Sequence, residues 1–326
     1  MIERGTTLVT GGAGFLGSSL VWALNQRGHD AILVADILDR SEKWRNLVPL
    51  RFHDYLESDA LLRLVERGAL QDVRTVIHLG ACSSTTETDA GYLIRNNVEY
   101  TRTLADWAIG RDIRFVYASS AATYGALEGE LSEQIDLHAL RPLNMYGYSK
   151  QLFDLHAARR GYLDRIAGLK YFNVFGPNEY HKGDMRSMVH KAFEQIAATG
   201  TVRLFKSDRP EFADGEQRRD FLYVGDAVDM TIHVADQPKL NGLINVGSGH
   251  AHTWLELIGA VFAAMGRPAS IEFIDMPEAL RGKYQYFTRA AMDRMKAGGY
   301  AAPPTPLADA VAECVRYLSA GRRLGE

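Results

Sequence analysis

Tyr146 and Lys150 stand four residues apart in "NMYGYSK". On a helix that spacing places both side chains on one face. Tyrosine, with an ordinary pKa of about 10, is a poor base near neutrality. A lysine ammonium one turn away favours the phenolate. Tyr146 would then take the proton of a substrate hydroxyl as a hydride leaves the same carbon. Upstream, "YASSAATYG" supplies Ser119, Ser120 and Thr123. Ser120 is the candidate partner of the reacting oxygen. A second cation, Lys182, sits in "EYHKGDMRSM". Its sequence neighbours alone read as an ordinary solvated step.

A hydride needs an acceptor, and the N-terminal stretch supplies a place for one. "TGGAGFLG" spans Thr10 to Gly17, with Gly11, Gly14 and Gly17 at three-residue intervals. Gly12 to Gly17 also satisfies G-x-G-x-x-G. Such a turn lets the backbone adopt positive φ, come close to a pyrophosphate, and pack its helix tightly on the strand. The phosphates then meet the free N–H groups of the helix N-terminus. Phe15 and Leu16 flank the turn. Asp36 and Ile37 end "LVADI", where a ribose-binding carboxylate belongs. Asp36 favours NAD, because it accepts from a ribose 2′-hydroxyl and repels a 2′-phosphate. Arg40, Lys43 and Arg45 follow and suit a phosphate, so NAD and NADP both stay open.

The elements that must carry these residues follow from hydrophobic periodicity. "TTLVTGG", "AILVADI", "LRFHDY", "TVIHLGAC", "RFVYASSAATYG", "IAGLKYFNVFG" and "GLINVGSG" read as strands. "SSLVWALNQRG", "ALLRLVERGAL", "NVEYTRTLADWAIGRD", "SKQLFDLHAARRGYLD" and "TWLELIGAVFAAMG" read as helices. Continuous apolar strands alternating with amphipathic helices predict an α/β fold, a Rossmann-type doubly wound parallel sheet covered on both faces. "PEFADGEQRRD" reads as a polar loop. No linker separates two halves. The expectation is a nucleotide-binding domain over 1–175 and a smaller, interleaved substrate-binding region over 176–326, with a segment near 221–247 returning to the first.

Composition bounds the partners. The 326 residues are 46% hydrophobic and 24% charged, with net charge -3 and no basic block. Nucleic acid is a poor partner for such a surface. Cys82 and Cys314 are the only cysteines, which permits no disulfide framework and no zinc spacing, so no metal is expected and a reducing cytoplasm fits. No signal sequence and no long apolar run is visible, so no membrane association is expected.

"TGGAGFLG", "HLGA", "YASSAATYG", "YGYSK", "YFNVFGP" and "RRDFLYVGD" together resemble the extended short-chain dehydrogenase/reductases, the sugar-nucleotide epimerase and dehydratase superfamily. The match covers nearly the whole chain. Dehydratases of that superfamily carry an acidic pair after the strand-end hydroxyl. Here Ser120-Ala121-Ala122-Thr123 holds no acid, so hydroxyl oxidation is expected rather than elimination. A finer resemblance lies in "GACSSTTETD", "SSAATYG", "PLNMYGYSKQLFD", "FNVFGPNEYHKG" and "LRGKYQYFT", which look like the ADP-glyceromanno-heptose 6-epimerases of bacterial lipopolysaccharide synthesis.

That resemblance implies inversion at the exocyclic carbon 6 of ADP-heptose through a 6-keto intermediate. Rotation about the adjoining bond presents the other face of the ketone to the same reduced nicotinamide. The oxygen then points the opposite way, so a second acid/base across the site is needed, and by resemblance that role falls on Lys182. The resemblance also places Leu79, Gly80, Ala81, Cys82 and Ser83 beside the nicotinamide ribose. Asn96 lies near the cofactor, and Asn173 and Val174 meet substrate and cofactor. Phe205, Lys206, Ser207, Asp208, Arg219 and Tyr284 line the ADP-heptose, with Arg219 suited to its diphosphate. Asp184 and Lys191 stand where some members carry serine and histidine. One tightly bound NADP or NAD per subunit is implied, NADP favoured, in a cytoplasmic homo-oligomer, with a pentamer among the forms expected. Two alternatives remain: a UDP-sugar 4-epimerase, which needs no "HKG" lysine, and a silent nucleotide-binding regulator, which has no need for Ser120, Tyr146, Lys150 and Lys182 together.

Overall fold

The computed structural model describes residues 2, 5–278, 281 and 284–326. Leu280, Gly282 and Lys283 of "LRGKYQYFT" lie outside the described residues. Seven strands form one sheet in which every pairing is parallel. In chain order the first five are β1 (Thr6–Thr10), β2 (Ile32–Asp36), β3 (Asp54–Glu57), β4 (Val73–His78) and β5 (Arg114–Ser120). Between them run α1 (Phe15–Gln26), α2 (Ser58–Glu66), the short α3 (Ala90–Leu93) and α4 (Tyr100–Gly110). The short β6 (Gly129–Leu131) and α5 (Met145–Arg159) precede β7 (Ala167–Tyr171). Next come β8 (Asn173–Phe175), α6 (Met188–Thr199), β9 (Val202–Phe205), β10 (Arg218–Arg219), β11 (Phe221–Tyr223) and α7 (Val224–Asp236). The chain ends with β12 (Gly242–Val246), β13 (His252–Thr253), α8 (Trp254–Ala264), β14 (Ile271–Ile274), β15 (Thr288–Ala290), α9 (Asp293–Ala297) and α10 (Leu307–Ala320).

The large sheet has the order β12-β7-β5-β4-β1-β2-β3. The chain winds outward from β1 to β3, then returns to β4 on the other side of β1. That reversal opens a crevice beyond the C-terminal ends of β1 and β4, the usual ligand position in such sheets. The central strands are apolar on both faces because helices cover both. Val9, Val34, Ile77 and Val116 belong to one buried cluster; Leu8, Val76, Phe115 and Tyr117 belong to the other. A third cluster joins α6, α8 and α10 through Val189, Ile196, Leu257, Phe262 and Val311. β9 and β14 pair parallel beside it.

Three local expectations change. "LRFHDY" starts too early, since β3 begins only at Asp54. "IAGLKYFNVFG" is not one strand. β7 stays in the large sheet, while β8 leaves it to pair with β11. That departure aims Val174 toward the crevice. The helix expected from Asn97 has a wider π turn over Ile94–Glu99 before α4. There the Asn97 side chain bonds the Cys82 backbone at both N–H (2.8 Å) and C=O (3.0 Å), fixing the loop after β4. The polar "PEFADGEQRRD" is loop except for the two residues of β10. No described helix is long and apolar enough to cross a membrane.

Candidate active site

The glycine turn is closed by contact. Gly11 has φ +66°, and a Cβ there would lie 2.7 Å from the Gly80 nitrogen. A Cβ on Gly17 would lie 2.0 Å from the Gly11 carbonyl oxygen. α1 can therefore begin at the turn only with hydrogen at both positions. Asp36 closes the far side. Its Oδ2 accepts from Ala13 N at 2.9 Å, and its Oδ1 accepts from Ile37 N and from Lys43 Nζ, both at 2.7 Å. Arg45 instead pairs with Glu42.

Two cavities meet along this turn. One, of about 500 Å³, runs past Gly14, Phe15, Leu16 and Gly17, past Leu79 to Ser83, to Ser120, Tyr146, Val174 and Lys182. The other, of about 660 Å³, holds Ile37 and Asn96 with Tyr92 and Ser58. They share Gly11, Asp36, Lys43, Gly80, Ala81 and Cys82. The result is a continuous groove with an acid at one end, a bare backbone turn in the middle and a tyrosine at the other end. A dinucleotide fits that sequence of groups. Among the described residues, no group of three or more His, Cys, Asp or Glu side chains is placed to hold a metal.

Three hydroxyls compete at the end of β5, and packing selects one. Ser119 Oγ donates to Asp154 Oδ2 at 2.7 Å. Thr123 Oγ1 accepts from Lys170 Nζ at 2.6 Å. Both are held by a buried network. Ser120 faces the cavity and is bonded to the Tyr146 phenol. Asn144 starts α5 by accepting from Gly147 N at 2.8 Å, which sets Tyr146 in the first turn.

Lys150 is anchored to the end of β5. Its Nζ donates to the Ala118 carbonyl at 2.8 Å, and it is not part of the cavity lining. Burial lowers its pKa to about 8, against the opposing influence of Asp154 and Cys82. Burial raises the Tyr146 phenol, and the Ser120 bond opposes that.

Lys182 lines the same cavity as Tyr146. It sits in the tight turn Tyr180–Met185, which is broken at Gly183 with φ 53° and ψ -128°. Its Nζ is 3.1 Å from Glu179 Oε2 and 4.8 Å from the Phe15 ring centroid. Only 20% of the side chain is exposed, so it is not a solvated surface cation. His181 beside it also lines the cavity, and burial lowers its pKa to about 4. Sequence reasoning missed His181, although its place next to Lys182 was a usable signal.

A third cavity, of about 910 Å³, lies between α6, β9, β14 and the start of α8. Lys191, Phe205 and Tyr284 line it, as does Trp254, which sequence reasoning passed over as a helix start. Trp254 Nε1 donates to the Tyr284 hydroxyl at 2.7 Å. Ser83 and Ser120 line the groove, whereas Lys206, Ser207, Asp208, Asp184, Asn173 and Arg219 line neither this cavity nor the groove. Lys206 pairs with Asp275 at 3.0 Å. Ser207 Oγ donates to the Arg209 carbonyl at 2.8 Å, and Asp208 N donates to the Tyr286 hydroxyl at 2.9 Å. Asp184 and Asn173 are exposed, the latter donating to the Asp220 carbonyl at 3.2 Å. Arg219 is buried, stacks 5.0 Å from the Tyr284 ring centroid, and spends donors on the carbonyls of Arg218 and Gln285.

Comparison with known proteins places these features in a wider set. Residues 7–247 match the model of the NAD dependent epimerase/dehydratase family. The chain is 54% identical over 318 residues to a protein of Nitratidesulfovibrio vulgaris (strain DP4) named ADP-L-glycero-D-manno-heptose-6-epimerase, covering 96% of this chain and 98% of that one. Its fold is similar to the crystal structure of the Helicobacter pylori protein of the same name, with TM-score 0.84 and 26% identity over 98% of this chain and 97% of that one. It is also similar to MoeE5 in complex with UDP-glucuronic acid and NAD, with TM-score 0.76 and 25% identity over 97% and 100% of the two chains.

Proposed function

The chain belongs to the NAD dependent epimerase/dehydratase family, and we propose that Tyr146 and Lys182 are the two acid/base groups with which it inverts carbon 6 of its sugar nucleotide. The activity is that of an NAD(P)-dependent ADP-heptose 6-epimerase, an isomerase acting between ADP-D-glycero-D-manno-heptose and ADP-L-glycero-D-manno-heptose. That activity belongs to lipopolysaccharide core synthesis.

One observation carries the mechanism. Tyr146 from α5 and Lys182 from the turn after β8 line one cavity together with the glycine turn. The glycine turn and Asp36 would hold a nicotinamide dinucleotide, which would supply the hydride acceptor and donor for carbon 6. Ser120 bonds the carbon-6 oxygen in one orientation, and Tyr146 removes its proton. After the ketone rotates, its oxygen faces Lys182, whose ammonium protonates it as the alcohol of the other epimer forms. The reverse reaction exchanges the two roles. Lys150 holds the Ala118 backbone and would bring positive charge near the ribose of a bound nicotinamide. The cavity of Lys191, Phe205, Trp254 and Tyr284 suits the ADP moiety, with ring faces for adenine and a cation for phosphate.

NADP is the preferred cofactor in this reading, because Lys43 neutralises Asp36 at the ribose end. The enzyme works in the cytoplasm as a homo-oligomer, which sedimentation velocity tests directly.

The test is incubation of the purified protein with ADP-D-glycero-D-manno-heptose and chromatographic separation of the two epimers. Lys182→Ala and Tyr146→Phe should each lose roughly 10²–10⁴-fold in epimerisation. A 6-aldehyde analogue, which dismutates to acid and alcohol without inverting a stereocentre, should retain partial turnover in Lys182→Ala. Wild-type epimerisation by Lys182→Ala would leave Tyr146 as sole base and defeat the two-base reading.

A further inference from the structure

Glu179 is a carboxylate with no access to water, its side chain 0% exposed. Its oxygens meet three donors. Oε1 accepts from Gly176 N at 3.3 Å, while Oε2 accepts from Ser187 N at 2.7 Å and Lys182 Nζ at 3.1 Å. Gly176 follows β8, and Ser187 is the N-cap of α6. Two backbone bonds would satisfy a purely structural acid joining those elements. A buried anion also needs a countercharge, however, and Lys182 supplies it.

The surroundings of Lys182 make that contact chemically important. His181 is held neutral by burial, and burial also lowers His190. Arg186 is paired with Glu194. Lys43 and Asp36, which face His181 across the turn, neutralise each other. Among the described residues, Glu179 is the anion that touches Lys182. On the other side the ammonium rests over the Phe15 ring.

We propose that Glu179 is the positioning residue of Lys182, holding its Nζ at the wall of the cavity shared with Tyr146 as counter-ion of the ammonium that protonates the carbon-6 oxygen. This rests on the reading of Lys182 as the second acid/base. When Lys182 gives its proton to the oxygen, the neutral amine remains beside Glu179. When the opposite epimer reacts, the substrate hydroxyl returns that proton.

The test compares Glu179→Gln with Lys182→Ala in the full-length, cofactor-loaded enzyme. Glu179→Gln should lower kcat for epimerisation about 10- to 100-fold, with KM for the sugar nucleotide within about threefold of wild type. Dismutation of the 6-aldehyde analogue, served by Tyr146, should stay within about threefold of wild type. The alkaline limb of the kcat–pH profile should move to lower pH, because the ammonium has lost its anion. Equal losses in epimerisation and dismutation would mark a structural acid and overturn the proposal, as would an unchanged pH profile. If Glu179→Gln does not fold, Glu179→Asp keeps the charge but draws it back by one methylene. It should show the same split between the two reactions, and wild-type epimerisation by it would overturn the proposal. If Lys182→Ala is dead as an epimerase while both Glu179 variants work normally, only the positioning role fails. If Lys182→Ala epimerises normally, the two-base reading fails first.

Discussion

Lys43 Nζ lies 2.7 Å from Asp36 Oδ1, so the acid and the cation that point to opposite cofactors form one ion pair at the ribose end of the groove. Both side chains are mostly buried, at 19% and 9% exposed. The pair is therefore less screened than a surface salt bridge. It also leaves the acid less able to repel a 2′-phosphate.

The first prediction follows from that pair. Asp36→Ala should weaken NAD more than NADP, because it removes a ribose partner and frees Lys43 for a phosphate. Lys43→Ala should shift the ratio the other way. Dissociation constants for both cofactors with each variant check this. An unchanged ratio in both would place the discriminating contact elsewhere.

Two glycines separate a forced site from a permissive one. Gly17→Ala drives a methyl to 2.0 Å from the Gly11 carbonyl oxygen, so it should destabilise the protein by about 1–3 kcal/mol and abolish cofactor retention. Gly259, inside α8 with nothing within 4 Å of its Cβ position, should tolerate alanine and gain about 0.5–1 kcal/mol. Denaturant unfolding and release of bound nicotinamide measure both effects.

Lys150 makes stability depend on pH. Its pKa is lowered to about 8 from 10.5, with burial as the largest cause. Between those values the unfolded chain binds more protons than the folded one, so this lysine's contribution to stability rises with pH across that window. Below pH 8 the full penalty of burying the ammonium applies. Lys150→Met should therefore compare most favourably with wild type near pH 7 and lose that advantage toward pH 10. Across the window the difference changes by roughly 1.4 kcal/mol for every step of one in pH. An unfolding free-energy difference that is the same at both pH values would refute the assignment.

The network under β5 should be intolerant of single changes. Asp154 is fully buried and accepts from Tyr117, Ser119 and Lys170, whose Nζ lies 3.1 Å away. Lys170→Met leaves that carboxylate without its countercharge and should cost about 3–5 kcal/mol. Replacing Asp154 together with Lys170 should cost less than the sum of the single losses. Urea unfolding of the double-mutant cycle gives the comparison. Strict additivity would mean the two groups do not share one interaction.

Local spacing determined much of this protein from the sequence alone. The three-residue glycine interval already implied a turn that no side chain fits, and four-residue spacing already put Tyr146 and Lys150 on one helix face. Apolar strands alternating with amphipathic helices already required a covered parallel sheet. These are short-range consequences of backbone geometry, so a single stretch is enough to read them. Tertiary structure decided the rest. It consumed Ser119 and Thr123 in a buried network and left Ser120 at the cavity. It turned "YFNVFG" out of the large sheet at Phe172 and carried Lys182 across to Tyr146. It tied Arg219 to backbone carbonyls and placed Lys191, Phe205, Trp254 and Tyr284 around one cavity. Whether a polar group is free for chemistry or spent on its neighbours depends on partners distant in the chain. Only the packed core brings those partners within hydrogen-bonding distance.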